Sequence, residues 1–107
     1  MPLYLYQASY TADGWANLVN KPQDRAQAIR PMIKQLKGKL ISFYLAFGEH
    51  DLVLVVDMPN NEAAAAFSMA ATAGGAIKTI RTTPLMTVAE GMRAMRAAKR
   101  AGYAPPS

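Results

Sequence analysis

The chain has 107 residues, 51% apolar and 18% charged, with a formal net charge of +5, one histidine and no cysteine. That length supports a single hydrophobic core. The missing cysteine excludes a disulfide framework, thiol catalysis and thiolate metal ligation, and one histidine cannot supply the usual nitrogen and sulfur ligands of zinc within one chain.

Globular chains are about a quarter charged, so the low charge of a chain this small points to surface covered by another subunit. The start, Met1-Pro2-Leu3-Tyr4, has no basic n-region, and no apolar run approaches the roughly 18 residues of a membrane span. The expectation is a cytoplasmic protein with no membrane partner and no metal or other cofactor. The whole chain, 1–107, is read as one domain with its core over 2–83, a terminal helix over about 87–100 and a tail over 101–107.

Leu3 to Tyr10, rich in tyrosine and leucine, predicts a first strand. Thr11-Ala12-Asp13-Gly14 then reads as a turn in which Gly14 is free to take positive φ, followed by a short helical turn over Trp15 to Val19. Pro22 suits a first helical position. Ala26, Ile29, Met32, Ile33 and Leu36 share one helical face. Pro31 predicts a kink or break in that helix, and Gly38 its C-cap. A second strand is expected over Lys39 to Phe47, with Ile41, Phe43, Leu45 and Phe47 on one face and Ser42, Tyr44 and Ala46 on the other. A turn over Gly48 to His50 leads to a third strand, Asp51 to Met58. Its run Leu52-Val53-Leu54-Val55-Val56 is apolar on both faces, so both faces need cover.

An asparagine N-cap after Pro59 opens a helix over about Asn61 to Ala73. This helix is alanine-rich and carries no charge after Glu62, a pattern that predicts burial on more than one side. Gly74-Gly75 ends it. Ala76 to Thr83 is the fourth strand, which Pro84 is expected to break. Thr87-Val88-Ala89-Glu90 has the pattern of a capping box.

The order β-α-β-β-α-β predicts an α+β, ferredoxin-like fold with a four-stranded antiparallel sheet and an extra C-terminal helix. Two helices cover one face of such a sheet. The other face is expected to meet that of a second copy, sheet to sheet, as a dimeric α/β barrel.

Pro2, Tyr4, Tyr10-Thr11, Gly14, Pro22, Arg25, Gly38, Gly48 and Asp51 are positions at which the chain resembles the GYD domain family, over roughly residues 2 to 83. The resemblance implies a ferredoxin-like fold of the dimeric α/β-barrel type and carries no activity with it. His50 departs from the family pattern, standing where the tyrosine of the glycine, tyrosine and aspartate cluster would be. A similar turn occurs in the effector-binding domains of leucine-responsive type regulators, a likeness of fold.

Three groups of side chains stand out. His50 and Asp51 could serve proton transfer or anion binding. Neighbours along a strand point to opposite faces, though, so the pair forms no simple dyad, and Asp51 could equally bond backbone N–H groups in the turn. Tyr6, Tyr44 and Trp15 could line a ligand cavity or fill core and interface. Arg93, Arg96, Lys99 and Arg100 form one stripe on the last helix, a phosphate-facing surface or simply a solvated face. No phosphate loop, dinucleotide fingerprint, nucleophile elbow or zinc-protease motif occurs.

The ligand-binding candidates are therefore Tyr6, Trp15, Tyr44, His50 and Asp51, with His50 the one catalytic candidate. The leading expectation is a homo-oligomeric module that binds a small organic ligand between sheets or serves assembly, with itself as partner. The alternative is a cofactor-independent enzyme of monooxygenase or isomerase type with an inter-sheet cavity. Nucleic-acid binding through the basic C-terminal helix is the least favoured.

Overall fold

Alternation in the first strand sets the layers. In a computed structural model describing residues 2–107, the strand β1 (Leu3–Tyr10) buries Tyr4, Tyr6, Ala8 and Tyr10 and leaves Leu3, Leu5, Gln7 and Ser9 half-buried. There follow α1 (Ala12–Asn20), α2 (Arg25–Gln35), β2 (Lys39–Leu45), β3 (Leu52–Asp57), α3 (Asn61–Ala73), β4 (Ile77–Leu85) and α4 (Val88–Ala101). The strands form one antiparallel sheet in the order β2-β3-β1-β4. This is the ferredoxin-like α+β arrangement, with α1 added before α2 and α4 appended at the end.

The core lies on the tyrosine face. Leu52, Leu54 and Val56 of β3, Ile33 of α2, and Ala64 and Phe67 of α3 join the β1 side chains there. Alanine at 64 lets α3 settle close to the sheet. The Tyr6 hydroxyl donates to the Ala64 carbonyl at 2.7 Å, the Tyr6 and Phe67 rings meet edge to face at 4.8 Å, and the Tyr4 hydroxyl donates to Asn61 Oδ1 at 2.5 Å. Two phenols thus satisfy their polar tips on the helix they support.

Several local expectations are corrected. Residues 12–20 form a full helix, not a turn. Thr11 is its N-cap, accepting from Gly14 N at 3.0 Å, and Gly14 sits inside it without positive φ. Gly14 is instead needed for closeness, because a Cβ there would lie 2.8 Å from the Ala76 carbonyl oxygen. Pro31 does not break α2, which runs as one helix. Gln27, whose carbonyl loses its intrahelical donor, and Pro31 are both exposed, so water can satisfy that oxygen. Pro84 lies within β4 opposite Tyr4; β4 is an edge strand, where a missing N–H can face outwards. In β2 the register shifts between Leu40 and Ser42, so Leu40 rather than Ile41 shares a face with Phe43, and the strand ends at Leu45. β3 begins at Leu52 and ends at Asp57, one residue inside the expected range at each end.

The end of α2 inverts the expected use of glycine. Lys37, at φ 63°, takes the left-handed position. Gly38 N donates to the Ile33 carbonyl and Lys37 N to that of Lys34, both at 2.9 Å, the bond pair of a Schellman motif. Gly38 serves packing, since a Cβ there would stand 2.5 Å from Met58 Sδ and 2.7 Å from the Asp57 carbonyl oxygen. The expected N-cap of α3 and capping box of α4 are both formed. Asn60 Oδ1 accepts from Ala63 N, Thr87 N donates to Glu90 Oε1 at 2.9 Å, and Glu90 N donates to Thr87 Oγ1 at 3.1 Å.

The helix α4 has no buried residue. The radius of gyration is 17.1 Å, against about 13 Å for a compact chain of this length, and the long dimension is 57 Å. No helix among the described residues is long and apolar enough to cross a membrane.

The two glycine-linked positions should respond in opposite directions. Lys37→Gly relieves a left-handed lysine and is expected to stabilise the fold by about 1 kcal/mol. Gly38→Ala is expected to cost about 1–3 kcal/mol through overpacking. Urea unfolding of both variants measures the pair.

Candidate functional site

The turn between β2 and β3 delivers Asp51 to the end of β1. Asp51 N donates to the Ala8 carbonyl and Ala46 N to that of Asp51, each at 2.8 Å. The backbone therefore fixes where the carboxylate lies. Its Oδ2 accepts from Tyr10 N at 2.9 Å and from Trp15 Nε1 at 3.2 Å. Trp15, in the first turn of α1, meets the Tyr10 ring edge to face at 5.1 Å. Asp51, Trp15 and Tyr10 thus form one cluster that ties the β2–β3 turn to the junction of β1 and α1.

The remaining candidates are dispersed. Tyr6 lies under α3 with its hydroxyl committed to Ala64. Burial of the phenol, with Tyr4 beside it, pushes its pKa up from 10.0 to about 12. Tyr44 stands opposite Val53, which stands opposite Gln7, so it belongs to the helix-free face, and it is 66% exposed. Tyr6 and Tyr44 therefore cannot line one space within a chain. His50 is half-buried, and its Nδ1 is enclosed without a hydrogen-bond partner among the described residues. The basic stripe of Arg93, Arg96, Lys99 and Arg100 is exposed along α4, whose Val88, Met92 and Met95 are exposed as well.

A cavity of about 420 Å³ opens on the helix side of the sheet. Ala8, Leu54 and Ile80 form its floor; Ala28, Ile29 and Met32 of α2 face Ala70 and Ala71 of α3 across it. A second hollow, of about 570 Å³, is lined by Trp15, Val19 and Leu45 and shares Tyr10, Leu18, Gln23, Arg25 and Phe43 with the first. Arg25 and Tyr10 thus border both. Burial raises the Tyr10 pKa, and the neighbouring Arg25 guanidinium opposes the rise. His50 lines neither space.

This cavity escaped the sequence reading. The alanine-rich α3 read there as a helix buried on more than one side, whereas it buries only Ala64 and Phe67, and the small volume of Ala70 and Ala71 leaves the space open. The available signal was the lack of any large side chain among the last four residues of α3, Ala70, Ala71, Thr72 and Ala73.

An antiparallel β2-β3-β1-β4 sheet with helices on one face defines a ferredoxin-like α+β protein. The GYD domain model matches residues 4–95, and the chain belongs to the GYD domain family. Among solved structures, the crystal structure of MtbAldR (Rv2779c) is similar, with a TM-score of 0.57 and 13% sequence identity over 80% of this chain. The match covers 53% of that chain, so this protein spans about half its length, and the likeness is one of fold. No curated protein matches this chain.

Two measurements test the local chemistry. Asp51→Ala leaves the Tyr10 N–H without its acceptor and should cost about 1–3 kcal/mol, with Trp15 emission, the sole tryptophan signal, shifting to the red. The folded state holds the Tyr6 proton more tightly than the unfolded chain. The stability linked to it is complete below pH 10 and should fall as the pH rises towards 12. In Tyr6→Phe, urea midpoints between pH 9 and about 12 should decline less steeply.

Proposed function

We propose that this GYD-family chain is a self-assembling module whose residues 1–107 act as one domain and whose two copies pair sheet to sheet as an α/β barrel. The observation that carries the reading is the composition of the helix-free face. Leu5 of β1 stands opposite Val55 of β3, Leu3 opposite Leu85 of β4, and Tyr44 of β2 opposite Val53, with Gln7, Asp57, Arg81 and Thr83 sharing the face. Apolar side chains so placed gain when two sheets pack about 10 Å apart. The exposed Val88, Met92 and Met95 of α4 offer a second apolar surface beyond the sheet.

Pairing on this face would bring Tyr44 against the second copy and leave Tyr6 and Trp15 on the far side of each sheet. A small organic ligand held between sheets would then meet Tyr44, not the buried tyrosines. Asp51 supports the turn through backbone and indole hydrogen bonds. His50, with its enclosed and unsatisfied Nδ1, is the residue to test for proton transfer.

Light scattering behind a sizing column measures the assembly. The wild type should have at least twice the chain mass, and Val55→Lys or Leu5→Lys should weaken association about 100-fold or more, because each sets like charges against each other across the two-fold. Circular dichroism reports whether each variant keeps its fold. A wild type that stays monomeric at high micromolar concentration would rule the proposal out.

A further inference from the structure

We propose that the helix-side cavity is a binding site for a small monocarboxylate with an apolar body, its carboxylate held by Arg25 and the Tyr10 hydroxyl. The volume of about 420 Å³ falls within the range of small-molecule sites, about 300–1,000 Å³. The floor and walls are apolar: Ala8 and Leu54 below, Ile29 and Met32 on one side, Ala70 and Ala71 on the other. Nothing among these side chains could anchor a polar ligand in the interior.

The polar groups gather at one end. Arg25 begins α2, and its Nη1 donates to the neutral Gln23 Oε1 at 2.9 Å. Asp24, its neighbour in the chain, and Asp51, beside Tyr10, already accept other hydrogen bonds. Asp24 caps α2 by accepting from Gln27 N at 3.1 Å, and Asp51 accepts from Tyr10 N and Trp15 Nε1. The guanidinium therefore keeps N–H donors for an incoming anion, and its planar fork matches a carboxylate in two parallel hydrogen bonds. Tyr10 brings its hydroxyl to the same end, beside the Arg25 guanidinium, and lines both hollows with it. A charged head at the Arg25 end and a hydrocarbon body over Ala8 and Leu54 match the charged and apolar parts of the lining.

The site lies on the opposite side of the sheet from the proposed pairing face, so ligand binding and assembly can fail separately. Decanoate and decanol, of equal chain length, are the probes, titrated calorimetrically and followed through Trp15 emission. Decanoate should bind the wild type at least tenfold more tightly than decanol. Arg25→Gln should remove that preference while leaving decanol unchanged. Ala71→Phe, which fills the cavity and keeps Arg25, should abolish binding of both. Light scattering on each variant reads assembly independently. Equal binding of the two probes, or decanoate binding that survives Arg25→Gln, would overturn the carboxylate site. Absence of binding by either probe to the folded wild type would overturn the cavity as a ligand site altogether.

Discussion

The strand β1 faces two ways, and the rest of the fold answers to that division. Its tyrosines project towards the helices, where Tyr6 and Tyr4 reach over hydrophobic neighbours to bond α3. Its leucines project to the other side, where Val55 of β3 stands opposite Leu5 and Leu85 of β4 opposite Leu3. Beside β1, the strand β3 is apolar on both faces, with Leu52, Leu54 and Val56 on one and Val53 and Val55 on the other. One layer of helices covers only the first of these faces. The helices settle the tyrosine face, and the leucine face carries no helix.

A second constraint holds the ends together. The carboxylate of Asp51 collects one backbone N–H and one indole N–H from two different elements. Close approaches of backbone at Gly14 and Gly38 do the same work without polar groups, each at a site where a Cβ would collide with a carbonyl oxygen. These contacts fix the entry of α1 and the exit of α2, and with them the cavity between α2 and α3. Arg25, at the start of α2, owes its place at the cavity mouth to this arrangement.

Much of the fold was legible because its signals are local. The alternation of β1, the Asn60 cap and the Thr87–Glu90 box depend on residues close together in the chain, and all three formed as read, whereas the alternation of β2 is broken by a register shift. The errors arose where tertiary packing decides. Gly14 read as a turn because its need for closeness to Ala76 involves a residue far along the chain. Pro84 read as a breaker because only sheet order shows that β4 is an edge. The site was less legible than the fold. Tyr6 and Tyr44 looked alike as aromatics, yet the strand register puts them on opposite faces. The cavity was invisible, since it is made by what alanine lacks.

The central claim, that a second copy covers the leucine face, is tested most directly by side-chain radical footprinting across a dilution series. The account predicts that Leu5, Tyr44, Val53 and Val55 lose labelling as the mass doubles, while Val19 and Met69, exposed on the helix side, label equally throughout. Doubling of the mass with unchanged labelling on the leucine face would contradict it.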